Sequence, residues 1–183
     1  MRSGAWVIGV LILVAGCATP RVEKPLTGTV GGNDMGEQLE FWHQLSERPM
    51  TSNDEGFHGV LLYLDKSDPA KDYAGRVGAL QGRKLLPAGF DRPADEAMER
   101  GTLAVILVRL LEMEKGWALS VFGGSPRYAV RELEFARLYP PSSPNQTFSG
   151  AEFVGIMGRV EDVQRGNSAN LPAEMMPGEM EGK

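Results

Sequence analysis

The side chains that could support catalysis or hold a metal are few and widely spaced. A hydrolase needs a nucleophile beside a base, or a pair of carboxylates. His43 and His58 are the only histidines, and the chain lacks the His-x-x-x-His spacing of a helical metal site. Ser52 and Ser149 each stand three residues before a glutamate, a pattern typical of helix caps. We therefore expect no enzymatic activity and no cofactor, with a two-histidine metal site as the alternative.

Cys17 is the only cysteine, and it follows an apolar run of signal-peptide length. Met1-Arg-Ser supplies a positive charge before this run, and residues 5–15 are too few to span a bilayer. The sequence Val14-Ala-Gly-Cys17 resembles the lipobox of bacterial lipoproteins. That resemblance implies removal of residues 1–16 and a thioether bond between the cysteine and diacylglycerol. The alternatives are an ordinary secretory signal with an incidental cysteine and a short anchor helix.

The location that follows from this resemblance is the cell envelope, with the membrane as a partner through the lipid. Ala18 rather than aspartate follows the cysteine, which in two-membrane bacteria is typical of lipoproteins sorted to the outer membrane, facing the periplasm. Two or three acyl chains would make the attachment stable. The formal net charge of −5 argues against nucleic acid as a partner, because nucleic acid selects basic surfaces.

Composition separates a central helical part from two irregular ends. Residues 17–33 contain prolines, glycines and small polar residues without periodicity, which predicts a flexible tether. The alternative is that Val22 and Leu26 pack on the domain. Residues 164–183 lack apolar periodicity and predict a disordered tail. Caps and apolar spacing predict helices over about 34–47, 52–65, 68–83, 99–113, 125–138 and 149–163.

One apolar helix face, with the spacing i, i+3, i+4 and i+7, occurs three times at near-constant separation. Its members are Phe57, Val60, Leu61 and Leu64; Leu103, Ile106, Leu107 and Leu110; and Phe153, Ile156, Met157 and Val160. A single two-helix unit cannot bury both of its apolar faces. We therefore predict an all-α domain of three helix–loop–helix repeat units, residues 34–65, 68–113 and 125–163, packed as one body.

Short motifs in these units resemble the S-layer homology (SLH) family. In that family an aromatic–proline loop precedes a Thr-Arg-Ala-Glu helix start, and a second arginine lies near the middle of the helix. Phe90 and Pro93 resemble the loop, and Met98-Glu-Arg-Gly-Thr-Leu-Ala104 resembles the helix start. The motif arginine falls at Arg100 in the second unit, whereas Asp54 and Gly150 take its place in the first and third. The later arginine falls at Arg109 and Arg159, with Tyr63 in that place in the first unit.

The resemblance implies three units around a central helical bundle, with grooves that bind cell-wall polysaccharide or peptidoglycan. The ligand-binding candidates are Arg100, Trp42, Arg109 and Arg159. A planar guanidinium suits such ligands because it can hold two oxygens at once. For Arg109 and Arg159 we favour packing or ion pairs between units, and for Trp42 a core position beside Leu39.

Two functions follow from this interpretation. The first is a non-catalytic module that tethers the membrane to cell-wall polymer. The second is an adaptor that binds another envelope protein, with the apolar segment Trp117–Phe122 as its contact.

Overall fold

The computed structural model describes residues 19–111 and 124–165, which form six α-helices joined by loops and isolated β-bridges. The helices are α1 (Met35–Ser46), α2 (Asn53–Asp65), α3 (Tyr73–Gly82), α4 (Arg100–Leu110), α5 (Pro126–Phe135) and α6 (Gly150–Gln164), and a 3₁₀ turn over Leu26–Gly28 precedes them. The predicted all-α class is confirmed. None of the helices in these two ranges is both long and apolar enough to cross a membrane. The predictions for residues 1–16, Cys17, Trp117–Phe122 and 166–183 lie outside the described residues.

Most helices begin where the local capping signals in the sequence predict. Ser52 and Ser149 each form a capping box with the glutamate three residues on, and the Asp34 side chain accepts from the first amides of α1. The predicted start of α3 at Asp68 was wrong, because α3 begins at Tyr73 with Asp72 as its cap. The Asp68 carboxylate accepts from the amide of Ala70 (3.0 Å) through one oxygen and binds His58 and Arg76 through the other, but no helix follows it directly.

The three predicted apolar faces meet in one core. Ten of their twelve side chains are buried: Phe57, Val60, Leu61, Leu103, Ile106, Leu107, Phe153, Ile156, Met157 and Val160. The last members of the first two faces, Leu64 and Leu110, are partly buried against the same core. Burial of this apolar area is the main force that holds α2, α4 and α6 together.

The helices α2, α4 and α6 begin at one end of the domain, where three backbone segments meet. The amide of Met98 donates to the carbonyl of Thr51 (2.8 Å), and the amide of Thr51 donates to the carbonyl of Phe148 (3.1 Å). We call this end, with the loops 91–98 and 140–148, the loop pole.

The first amides of each of these helices find acceptors in another loop of the pole. Asn53 and Asp54 of α2 donate to Glu96 and Ala94, Arg100 and Gly101 of α4 donate to Gln146 and Pro144, and Gly150 of α6 donates to Arg48. The amides at a helix start have no partner within the helix. The loops therefore satisfy donors that would otherwise be unpaired.

The closest helix pairs are α2 with α3, α4 with α5, and α1 with α6. These pairs cross the boundaries of the predicted two-helix units, so the division into repeat units stays a prediction. The end of α1 lies against the start of α6, where a Cβ atom at Gly150 would collide with the carbonyl oxygen of Leu45. A motif arginine has no room at this position.

The spacing i, i+4 and i+7 predicts that Met35, Leu39 and Trp42 form the apolar face of α1, but of these three only Trp42 packs against the core. Phe41 and Leu45 are fully buried, whereas Met35 and Leu39 are 75% and 64% exposed. α1 carries apolar residues on two sides. On the buried side, Phe41 packs against His58 of α2, and the backbone of Leu45 lies against the start of α6. Trp42 lies between the two sides and is half-buried.

Within the segment predicted as a tether, residues 20–33 are part of the folded domain. Val22 and Leu26 are buried, as the alternative interpretation had it. The amide of Val22 donates to the carbonyl of Asp95 (2.7 Å), and the side chain of Asn33 donates to the carbonyl of Asp68 (2.9 Å). We call residues 20–33 the N-terminal strap.

Candidate binding groove

A groove of about 280 Å³ opens between α1, α2 and α6. Its apolar floor is made by Trp42, Leu62, Val154 and Met157, and its rim by Gln38, Tyr63, Lys66 and Glu161. Aromatic and aliphatic walls with a few polar groups at the edge are typical of binding sites for small ligands. Of the four predicted ligand-binding residues, only Trp42 lines this groove.

Packing on three sides fixes the indole of Trp42. Its ring stacks on Phe153 with the centroids 6.4 Å apart, and it meets Phe41 edge-on at 5.4 Å. Gly59 on α2 leaves room for the ring, because a Cβ atom there would lie only 3.1 Å from it. The remaining side of the indole is open to the groove, so Trp42 serves both the core and the groove surface.

The rim of the groove combines an aromatic ring with charged groups. The Tyr63 hydroxyl hydrogen-bonds Gln164, and the Lys66 ammonium lies 5.4 Å from the centre of the Tyr63 ring. Burial, together with the nearby charge of Glu161, raises the pKa of the Tyr63 phenol above its usual value. This hydroxyl therefore stays protonated at neutral pH and can donate a hydrogen bond.

The open end of the groove is held by the amide of Gln38. Its nitrogen donates to the carbonyls of Asn33 (2.8 Å) and Lys66 (2.9 Å), which joins the start of α1 to the end of α2. Lys66 is in the left-handed conformation with φ of 58° and terminates α2. The backbone of the rim is thus fixed, while the lysine side chain reaches outward.

Arg100, the predicted motif arginine, lies inside the domain and not in the groove. It is 6% exposed, forms an ion pair with Glu152 of α6, and donates from Nε to the carbonyl of Thr147 (3.3 Å). Its guanidinium also lies 5.0 Å from the centre of the Phe148 ring. A cation in the first turn of a helix is unfavourable, which predicts an acidic partner close in sequence, Glu99 or Asp95. The ion-pair partner is instead Glu152, 52 residues further along the chain. The geometry makes Arg100 a link between α4 and α6.

Arg109 and Arg159 share one structural role. Arg109 donates to the carbonyls of Lys84 (3.0 Å) and Leu85 (3.3 Å), and Arg159 donates to the carbonyl of Leu138 (3.0 Å). Each of these carbonyls lies in the turn that follows α3 or α5, so Arg109 of α4 and Arg159 of α6 fasten these turns to their own helices. The preference for packing over ligand contact agrees with these positions, but the bonds are to backbone rather than to carboxylates.

A buried polar cluster was missed by the sequence analysis. His58 of α2 binds Asp68 (2.6 Å), Arg76 of α3 binds the same carboxylate (2.5 Å), and Arg76 also binds Asp54 (2.6 Å). The hydroxyl of Thr27 in the strap donates to Asp54 as well. These residues are not neighbours in sequence, so only an alignment of co-varying positions could have indicated their pairing.

The two histidines do not form a metal site together. His58 is buried against Asp68, and His43 is exposed beside Glu47 at 3.9 Å. In residues 19–111 and 124–165, no three His, Cys, Asp or Glu side chains are grouped so that they could hold a metal ion.

Searches of known protein families, curated proteins and solved structures find no match for this chain. The groove therefore has to be interpreted from its own chemistry. Its residues are a half-buried indole, a phenol, a lysine and a glutamate, with no nucleophile paired to a base. Such a set can hold a ligand by stacking and hydrogen bonds.

Proposed function

We propose that this chain is a lipid-anchored envelope protein whose helical domain binds cell-wall polymer, either peptidoglycan or an associated polysaccharide. The lipobox-like sequence at Cys17 supports the anchor, and the SLH-like motifs support the class of ligand. The observation that carries the proposal is the placement of Trp42 beside Tyr63 in a groove with a polar rim. In a two-membrane host the domain would face the periplasm from the outer membrane.

The chemistry of a sugar ring fits this groove. A pyranose has an apolar face that packs on an aromatic ring and hydroxyl groups that need hydrogen-bond partners at its edge. Trp42 offers an aromatic surface, while Lys66 and Glu161 offer a donor and an acceptor at the rim. Arg100 is only 6% exposed and is bonded to Glu152 and Thr147. We therefore assign ligand binding to the groove rather than to the motif arginine.

Sedimentation with purified peptidoglycan tests this proposal. The lipidated protein in detergent is expected to pellet with the polymer, and Lys66→Asn is expected to weaken binding several-fold. Asparagine tolerates the left-handed backbone of this position, so the fold should survive. Glu40→Gln is a matched control, because Glu40 is exposed on α1 and does not line the groove. A wild-type protein that stays in the supernatant would refute polymer binding.

One observation favours the adaptor as a second candidate function. Met35 and Leu39 lie one turn apart on α1 and are 75% and 64% exposed, so they form an apolar patch that is separate from the groove lining. Methionine adapts to varied partners, and a continuous exposed apolar patch is typical of protein contacts.

In-cell photo-crosslinking from position 39 distinguishes the two candidates. A product that muramidase degrades supports polymer binding. A product that proteinase degrades and muramidase leaves intact supports the adaptor.

A further inference from the structure

The folded domain begins unusually close to the proposed lipid. The carbonyl of Pro20 accepts from the amide of Ala97 (2.8 Å), and the amide of Val22 donates to the carbonyl of Asp95 (2.7 Å). The side chain of Arg21 adds an ion pair with Asp95 at 2.9 Å. The chain is therefore fixed to the loop pole from Pro20 onward.

Hydrogen bonds hold the strap along its whole length. It therefore cannot extend to lengthen the connection between the proposed lipid and the domain. The amide of Leu26 donates to the buried carboxylate of Glu55 (2.9 Å), and the Thr27 hydroxyl donates to Asp54. Detachment would leave these carboxylates short of donors, and burying an unsatisfied polar group is costly. Further along, Asn33 exchanges two hydrogen bonds with the backbone of Asp68.

We propose that the loop pole rests directly on the lipid headgroups, an inference that depends on the proposed lipidation of Cys17. Only Ala18 and Thr19 separate Cys17 from Pro20. Consecutive Cα atoms are at most about 3.8 Å apart, so the Cα of Pro20 lies within about 11 Å of the Cα of Cys17. An acylated cysteine sits at the membrane interface, and the pole must lie beside it.

Charge does not draw the loop pole toward the membrane. Arg21 is paired with Asp95, and the single cation of Arg92 faces both Glu96 (2.6 Å) and Glu99 (3.0 Å). Asp91 in the same loop is exposed, so acidic side chains outnumber basic ones here. The sequence also lacks a polybasic stretch, so the short connection rather than charge would hold the pole in place.

The placement of the loop pole on the membrane determines the direction in which the groove opens relative to the bilayer. The loop pole contains the start of α2, whereas the groove is lined by Leu62, Tyr63 and Lys66 in the last two turns of that helix. A helix of 13 residues is about 20 Å long. With the pole on the membrane, the rim of the groove opens away from the bilayer, toward polymer or partners.

Fluorescence quenching from the membrane tests the proposal. The full lipidated chain is placed in phosphatidylethanolamine–phosphatidylglycerol vesicles that contain a nitroxide-headgroup lipid. A dye is attached through Pro93→Cys at the loop pole or through Gly158→Cys, where a Cβ atom meets nothing within 4 Å. The Cys17 thiol is consumed by the lipid and takes no dye. Quenching is expected to be several-fold stronger at position 93, and equal or reversed quenching would overturn the proposal.

A spacer variant separates the effect of the short connection from any affinity of the pole for lipid. Insertion of a flexible glycine–serine segment between Ala18 and Thr19 is expected to lower quenching at position 93 to the level of position 158. Unchanged quenching would overturn the role of the connection. The mass of the Cys17 peptide is a separate readout. An unacylated peptide refutes the proposed anchor, whereas an acylated protein with an unquenched pole refutes only this inference.

Discussion

The Nδ1 atom of His58 lies 2.6 Å from the Oδ2 atom of Asp68, and both side chains are fully buried. The other ring nitrogen, Nε2, is buried and has no hydrogen-bond partner in the described part of the chain. The Phe41 ring meets the imidazole edge-on, with the ring centres 4.6 Å apart. The short bond to Asp68 therefore fixes the orientation of a fully buried ring.

Removal of the Asp68 carboxylate is expected to destabilise the domain strongly. Asp68→Asn should lower the free energy of unfolding by about 3 kcal/mol, because it leaves the buried guanidinium of Arg76 with one carboxylate instead of two. Asp65→Asn is the matched control, since its pair with Arg83 is more than one-third exposed and is worth less than about 1 kcal/mol. Urea unfolding measures both variants, and equal losses would contradict the role of the cluster.

The free energy of unfolding of the domain is expected to decrease at acidic pH. Burial alone would raise the pKa of Asp68, but hydrogen bonds from His58 and Arg76 outweigh it, and this pKa lies below its ordinary value of 3.8. The pKa of Glu152 is lowered from 4.5, since the Ser149 amide and Arg100 outweigh burial. The folded state thus binds protons less readily than the unfolded state. The resulting stabilisation is complete above the ordinary pKa values and is lost as pH falls through the folded ones.

Urea unfolding at a series of pH values measures this dependence. Wild-type protein is expected to lose stability as pH falls below about 4.5, starting near the ordinary pKa of the glutamate. Asp68→Asn lacks the aspartate contribution, so its curve should fall less steeply. Parallel curves for the two proteins would show that Asp68 does not titrate with a lowered pKa.

Substitution by alanine is expected to change the stability of the domain in opposite directions at two glycines of α6. Gly150→Ala is expected to cost about 3 kcal/mol or more, because the added methyl group meets the Leu45 carbonyl and forces α1 away. Gly158→Ala meets nothing within 4 Å and is expected to stabilise the helix by about 0.5–1 kcal/mol. Thermal unfolding of both variants decides this, and a tolerated Gly150→Ala would contradict the close approach of α1 to α6.

The strap should contribute to stability as a part of the core. Leu26→Ala removes a side chain that is 4% exposed and is expected to cost about 2–3 kcal/mol. Leu39→Ala removes a leucine that is 64% exposed and should change stability by less than about 0.5 kcal/mol. If both variants unfold at the wild-type urea concentration, the strap is not packed as described.

The features that sequence predicted well depend on residues within one or two helical turns. Ser52 and Ser149 cap their helices through contacts three residues away, and the apolar face of α4 is continuous in sequence. The face of α1 was assigned wrongly because Met35–Leu39–Trp42 and Phe41–Leu45 are both apolar at helical spacing. Contacts with α2 and α6 decide which of them is buried.

The features that the sequence did not predict depend on contacts between residues that are far apart in the chain. Asp68 carries a local signature of a helix start, but its partners are His58 and Arg76, which no local pattern connects to it. The groove contains residues from three helices, and its Tyr63 was noticed only as a departure from a motif. Arg100 matched a motif, yet Glu152 satisfies it from another helix.

The contact between α1 and α6 brings together the first and last helices of residues 19–111 and 124–165. In an open solenoid the terminal repeats are exposed on one side, and the structure can fray or unzip from either end. Here the first and last of the described helices cover each other, so neither is a free end from which melting would start. We therefore regard unfolding of this domain as a single cooperative event, in which the loss of one helix removes the support of its neighbours.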